Sequence, residues 1–263
     1  MLDIKELYWR CAPVQRGVIM TVNDYNKELE VFYLKYFKEN KIQDDSNLDK
    51  LSVPMLLKLD ESYFDPKKPT IIIFGQETKY WGKEDFNTYS HLRDKVDETV
   101  QSVMNHYSWQ LNNTTRKTRS VLIRTNRKIQ NELTDSYNIL WSNIYKYSYE
   151  GKRVSKNVTK EHFEIIMKHQ KEFMKFELEL FQPKGMIFFT GKRLDRAIEH
   201  NLDAKVKCIK HYDTFSSRLD IKSNFNIDED VKVLRSYHPQ YLSRKKKLDS
   251  VVEYTKELFL NKI

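Results

Sequence analysis

Eight residues, Thr70-Ile-Ile-Ile-Phe-Gly-Gln-Glu77, constrain this chain more than any other stretch. A β-branched and aromatic run without polar interruption reads as a strand buried on both faces, and such strands belong to parallel sheets covered by helices. The run reaches a glycine and then presents Gln76 and Glu77 at its carboxyl end, where open α/β sheets gather their reacting groups. Comparable runs follow at Tyr137–Ile144, Gly185–Gly191 and Val231–Ser236, with Val206–His211 a further candidate. Helical spacing of apolar residues separates them. Thr21 to Asp24 reads as a capping box opening a helix whose apolar face is Val22, Tyr25, Leu29, Phe32, Tyr33, Tyr36 and Phe37. Ser90 is placed to cap a helix carrying Leu92, Val96, Val100, Val103 and Tyr107, and further helices are expected from about Thr159 to Phe181 and from Leu248 to Phe259. Leu51 to Leu59 is apolar and ambiguous, and Phe215 to Glu229 reads as polar and turn-like. The expected fold is α/β: a three-layer α/β/α sandwich with a central, mostly parallel sheet of four to five strands. At 263 residues the chain suits one domain over 1–263, with residues 1–60 a helical N-terminal extension packed on it.

Composition narrows the function classes. Two cysteines, Cys11 and Cys208, are too few for a disulfide framework or a cysteine-held metal site, so no cofactor and no metal are expected. No apolar run approaches the ~20 residues a membrane-crossing helix needs. The opening MLDIKELYWR carries acids and no apolar signal core, which points to a cytoplasmic protein without a membrane partner; a monomer is expected. The net charge of +9 favours a polyanionic partner. Charge alone does not choose one, because lysine-rich compositions are common in proteins that never touch nucleic acid. The hydroxyl-rich, basic stretch from Asn112 to Lys128 has the same two readings, a solvated helix face or a phosphate-contacting surface.

The strand ends carry the chemistry. Gln76 with Glu77, Asn143, Thr190 with Lys192, and His238 all fall at carboxyl tips of expected strands. A carboxylate there can orient or deprotonate water, or stabilise a cation forming on a sugar. An asparagine amide offers one donor face and one acceptor face, enough to read a pyrimidine edge. A neutral imidazole can donate to a carbonyl oxygen that gains charge as a base departs. Singly, each residue has a plainer reading as a cap, a turn or an ion-pair member. Together they meet the needs of N-glycosidic bond hydrolysis.

The segment Gly75-Gln76-Glu77-Thr78-Lys79-Tyr80 resembles the water-activating loop of the uracil-DNA glycosylase superfamily, which commonly reads Gly-Gln-Asp-Pro-Tyr. His238-Pro239-Gln240-Tyr241-Leu242-Ser243 is similar to that superfamily's His-Pro-Ser-Pro-Leu-Ser loop, and Tyr89-Ser90 to its Phe-Ser pair. The resemblance spans roughly Pro69 to Ser243. It implies a monofunctional DNA glycosylase that flips a nucleotide out of DNA and hydrolyses its base with water. Glu77 takes the catalytic carboxylate's place and Gln76 supplies backbone donors near the base. Tyr89 stacks on the base, Asn143 reads its edge, and His238 stabilises the leaving anion. Leu242 is the wedge that fills the vacated stack, with Tyr241, Ser243, Arg244 and Lys245 contacting DNA around it. Two departures bear on substrate. Thr78 replaces the loop proline, and Lys79 stands where a tyrosine excludes the 5-methyl of thymine, leaving that task to Tyr80 or Trp81 or to nothing. The implied substrate is therefore uracil or a modified, 5-substituted pyrimidine, in base-excision repair or in defence against phage DNA. Two alternatives stay open on the residues alone: a non-catalytic DNA-binding or damage-sensing module, and a hydrolase of free nucleosides or nucleotides.

Overall fold

The computed structural model describes residues 20–40, 49–78, 81, 87–112, 120–152 and 154–260. The first element is helix α1 (Val22–Glu39), whose start is fixed by the expected capping box: Thr21 accepts from the Asp24 N–H while Asp24 receives the Thr21 N–H. Strand β1 (Thr70–Glu77) follows an extended, buried segment, and then come α2 (Tyr89–Asp94), α3 (Val96–Asn112), α4 (Val121–Leu133) and β2 (Asn138–Tyr145). The long helix α5 (Lys160–Phe181), capped by Thr159, leads to β3 (Gly185–Phe188) and the short α6 (Asp195–Asn201). The chain ends with β4 (Ala204–His211), β5 (Ser216–Ser223), β6 (Lys232–Ser236), α7 (Pro239–Arg244) and α8 (Leu248–Leu260).

All six strands form one sheet in the order β2-β1-β3-β6-β5-β4. The first four run parallel, while β5 is antiparallel to β6 and β4 to β5. Alternation along β1 divides the interior. Ile72 and Phe74 enter the core beneath α1, α3 and α5, whereas Ile71 and Ile73 enter the core beneath α4, α7 and α8. Helices cover both faces, so the three-layer α/β/α arrangement holds, with one strand more than the upper expectation.

That extra strand, β5, corrects the turn-like reading of Phe215 to Glu229. Its inward residues include Leu219 and Ile221 at period two, but serines fill the neighbouring buried positions and hide the pattern. Ser216 and Ser217 are tolerated inside because they are bonded, Ser216 Oγ to Ser236 Oγ at 2.9 Å and Ser217 Oγ to His211 Nδ1 at 2.9 Å. The helix expected to be capped by Ser90 is two helices instead, broken at Lys95, and the first is preceded by Thr88 with no side-chain capping bond.

Residues 1–19 and 41–48 of the expected N-terminal extension lie outside the described residues. The rest is integral to the covering layer. Phe32 of α1 stacks on Phe176 of α5 at 3.9 Å, and the Tyr33 hydroxyl donates to Glu177 at 2.7 Å. The ambiguous segment from Leu51 to Leu59 is extended and largely buried, tied to the chain after β2 through Met55 N–H to Lys146 O and Ser52 N–H to Ser148 O. Among the described residues no helix is long and apolar enough to cross a membrane.

Candidate functional site

Parallel pairing sets the site. Gly75 of β1 lies opposite Asn143 of β2, and Glu77 opposite Tyr145, so both strands stop at one level. Beyond those ends opens a cavity of about 510 Å³. Gln76 and Glu77 line it from β1, Trp141 and Asn143 from β2, and His238 from the loop leaving β6. The Glu77 and His238 positions, 161 residues apart in the numbering, thus border the same space.

Each polar group is held by its surroundings. Gln76 donates through Nε2 to the Thr190 carbonyl at 3.3 Å and accepts through Oε1 from Arg193 at 3.3 Å. Thr78, just past β1, anchors that strand end to the chain after β2: its N–H donates to Tyr145 O and its hydroxyl to Lys146 O. Asn143 is fully buried. Its Nδ2 reaches Met55 Sδ at 3.5 Å, and its Oδ1 has no partner among the described residues. A buried amide oxygen left open in this way costs stability unless something else supplies a donor. The amide sits over β1 only because residue 75 is glycine: a Cβ there would lie 2.2 Å from Asn143 Oδ1.

His238 caps α7, accepting the Gln240 N–H at Nδ1 over 3.3 Å. A backbone donor at Nδ1 places the proton of the neutral ring on Nε2, which makes Nε2 the donor nitrogen. A second source of positive potential comes from α4, whose first turn, Ser120 to Ile123, lines the cavity and contains no acidic residue. Its amide groups and helix dipole favour negative charge in that space.

The aromatic wall differs from the expected one. Tyr89 is 2% exposed and does not line the cavity; its ring packs near Phe37 and Tyr147 in the core. The reason is local: its N–H bonds Leu51 O, which draws the start of α2 onto the buried 51–59 segment. Tryptophans take the place instead. Trp81 and Trp141 both line the cavity, edge to face at 5.8 Å, and His106 of α3 stands against Trp81 at 5.0 Å. The indole N–H of each tryptophan is buried without a partner among the described residues. Trp141 had a sequence signal, because it lies two residues before Asn143 in a strand and so shares its face. His106, Gln110, the α4 turn and Gln240 had none.

Leu242 is also corrected. It is fully buried in the core between the sheet, α4 and α8, so it does not project as a wedge. Residues 239–244 form a helix rather than an open loop, and on its first turns Leu242 faces the sheet while Tyr241, Ser243 and Arg244 face outward. Lys245 is exposed beside them, its ammonium 5.9 Å from the Tyr241 ring centre. Lys79 and Tyr80, and residues 113–119 of the basic stretch, lie outside the described residues. Of the remainder of that stretch, Lys128 pairs with Asp249 at 2.5 Å.

A buried ion pair adjoins Asn143 through Met55 and Ser142. Lys146 Nζ contacts Glu177 at 2.8 Å, Ser142 Oγ at 3.0 Å and the Met55 carbonyl at 3.3 Å, with Tyr33 donating to the same carboxylate. Burial pushes the Glu177 carboxyl up, and the Lys146 ammonium and the bonds to it pull back. Met55 links this network to Asn143 through its sulfur. Among the described residues no group of three or more His, Cys, Asp and Glu side chains is placed to hold a metal ion. Compared with known proteins, the chain matches no family model and no curated sequence.

Proposed function

We propose that the protein is a nucleic-acid N-glycosylase that hydrolyses the bond between a pyrimidine base and its deoxyribose, leaving an abasic site. The observation that carries this reading is the convergence of Glu77, Asn143 and His238 on one cavity walled by Trp81 and Trp141. A flat, polar-edged ligand suits that space. The two indoles, set edge to face, wall that space, and the buried, unpartnered Asn143 amide oxygen is the acceptor for a ring or exocyclic N–H.

Glu77 orients the attacking water and offsets positive charge building on the sugar as the bond stretches. The electron pair of the breaking bond goes to the base. His238 Nε2–H donates to the base oxygen where that charge collects, and the α4 amino terminus adds to the same field. Water then adds its hydroxyl to C1′, and the base takes up the proton. A cavity near 510 Å³ is in the range that encloses a drug-sized ligand. That leaves room beyond an unmodified pyrimidine and favours a 5-substituted one.

Release of free base from DNAs carrying uracil and a panel of 5-substituted pyrimidines, followed by mass spectrometry, tests the reading. Wild-type protein is expected to release at least one base, and Glu77→Gln to lower the rate by roughly 10²–10⁴-fold. No release from any member of the panel, or full activity in Glu77→Gln, overturns it.

A further inference from the structure

We infer that nucleic acid enters this cavity as a single strand, with bases flanking the bound nucleotide stacked on Trp109 and on the Tyr237–Tyr241 pair. The inference rests on the proposed reading of the cavity as a nucleotide site and adds the form of the substrate.

Trp109, Tyr237 and Tyr241 are the exposed large aromatics among the described residues, at 44%, 36% and 40% exposure, and each is the chain neighbour of a residue that lines this cavity: Gln110, His238 and Gln240. Trp109 lies on α3 between the lining residues His106 and Gln110. It stacks on His106 at 5.7 Å with the planes 26° apart, and His106 in turn stands against Trp81. An aromatic path therefore runs from the cavity interior to solvent. At the β6–α7 junction, Tyr237 precedes the lining residue His238 and Tyr241 follows the lining residue Gln240. Their rings lie 5.3 Å apart and 31° off parallel, both backed by Phe215. Exposed Arg244, Lys245 and Lys246 continue from that pair.

Exposed rings interleaved with cations are how proteins hold single strands, because unstacked bases offer their faces while the phosphates meet the cations. A duplex keeps those faces inside its stack and has no use for three exposed rings. Leu242, the side chain the sequence offered as the wedge for extruding a base from a duplex, is buried. A free nucleoside fills only the cavity and leaves the outer rings unused. Single-stranded nucleic acid is the ligand that uses both the cavity and its rim.

The test is binding to full-length Glu77→Gln protein, which separates affinity from turnover. The probes are a labelled oligothymidylate of about 12 nucleotides, within the size one such surface covers, the matching duplex, and thymidine monophosphate as competitor. The single strand is expected to bind at least tenfold tighter than the duplex and to quench tryptophan fluorescence. Trp109→Ala and Tyr241→Ala should each weaken it by roughly five- to a hundredfold, while Tyr241→Phe retains it. Thermal melting confirms that each variant is folded. Equal affinity for duplex and single strand, or alanine variants that bind like the parent, overturns the inference. Base release from duplex or mononucleotide as fast as from single strand also overturns it while leaving the hydrolytic reading intact. Conversely, the expected binding pattern with no base release by wild type sustains it and removes the hydrolytic reading.

Discussion

Gly75→Ala isolates the contact on which the Asn143 position depends. The added methyl would sit 2.2 Å from Asn143 Oδ1 and 3.2 Å from Leu122 Cδ2, against the 3.4 Å where ordinary contact begins. The chain must make up ~1.2 Å, and the strands cannot part to supply it because Gly75 and Asn143 are paired in the sheet. The Asn143 side chain must turn away into a packed interior, an overpacking cost of about 1–3 kcal/mol. Alanine also restricts the unfolded chain, which returns about 0.4–1 kcal/mol at a position whose backbone is not left-handed. The clash wins by about 1–2 kcal/mol, a melting temperature lower by roughly 2–8 °C for a chain of this size. Urea unfolding followed by tryptophan fluorescence reads this directly. The decisive comparison is with Asn143→Ala, which removes the amide that the methyl would strike. In that background Gly75→Ala should cost little, giving a coupling of about 1 kcal/mol or more. Equal destabilisation in both backgrounds would refute the claim that the glycine exists to seat this amide. Base release, where measured, should fall in Gly75→Ala toward the level of Asn143→Ala.

Two further outcomes follow from buried side chains. Burial, with a smaller push from Lys168, lowers His169 from 6.5 to about 4, so the folded ring stays neutral while the unfolded one protonates. The stability this contributes is complete above about pH 6.5 and is lost as pH falls toward 4, roughly 3 kcal/mol at 1.36 kcal/mol per pH unit. His169→Leu should flatten the fall in urea midpoint between pH 7 and 4.5, and an unchanged slope would sink the assignment. Leu242→Ala should cost about 2–5 kcal/mol of stability as a core cavity, with little change in single-strand affinity where the variant is folded. Lost nucleic-acid affinity with an unchanged melting temperature would instead make Leu242 a surface contact.

The central sheet was legible because its parallel strands are nearly unbroken apolar runs. Thr70 to Phe74 can satisfy its hydrogen bonds and its hydrophobicity at once only inside such a sheet. The strand tips were legible for the same reason: polar residues at or near the end of each run lie toward the sheet's carboxyl edge, which brings Glu77, Asn143 and His238 to one cavity, although β2 itself runs two residues past Asn143. The edge strand β4 was expected as Val206–His211, but its antiparallel partner β5 was hidden because hydrogen-bonded serines take core positions there, and a pairing partner cannot be read from local composition. Side-chain direction was decided by the tertiary structure. Whether Tyr89 or Trp141 faces the cavity, and whether Leu242 or Tyr241 faces solvent, depends on how helices dock on the sheet. That docking minimises exposed apolar surface over the whole molecule, so no single segment of the chain contains the answer.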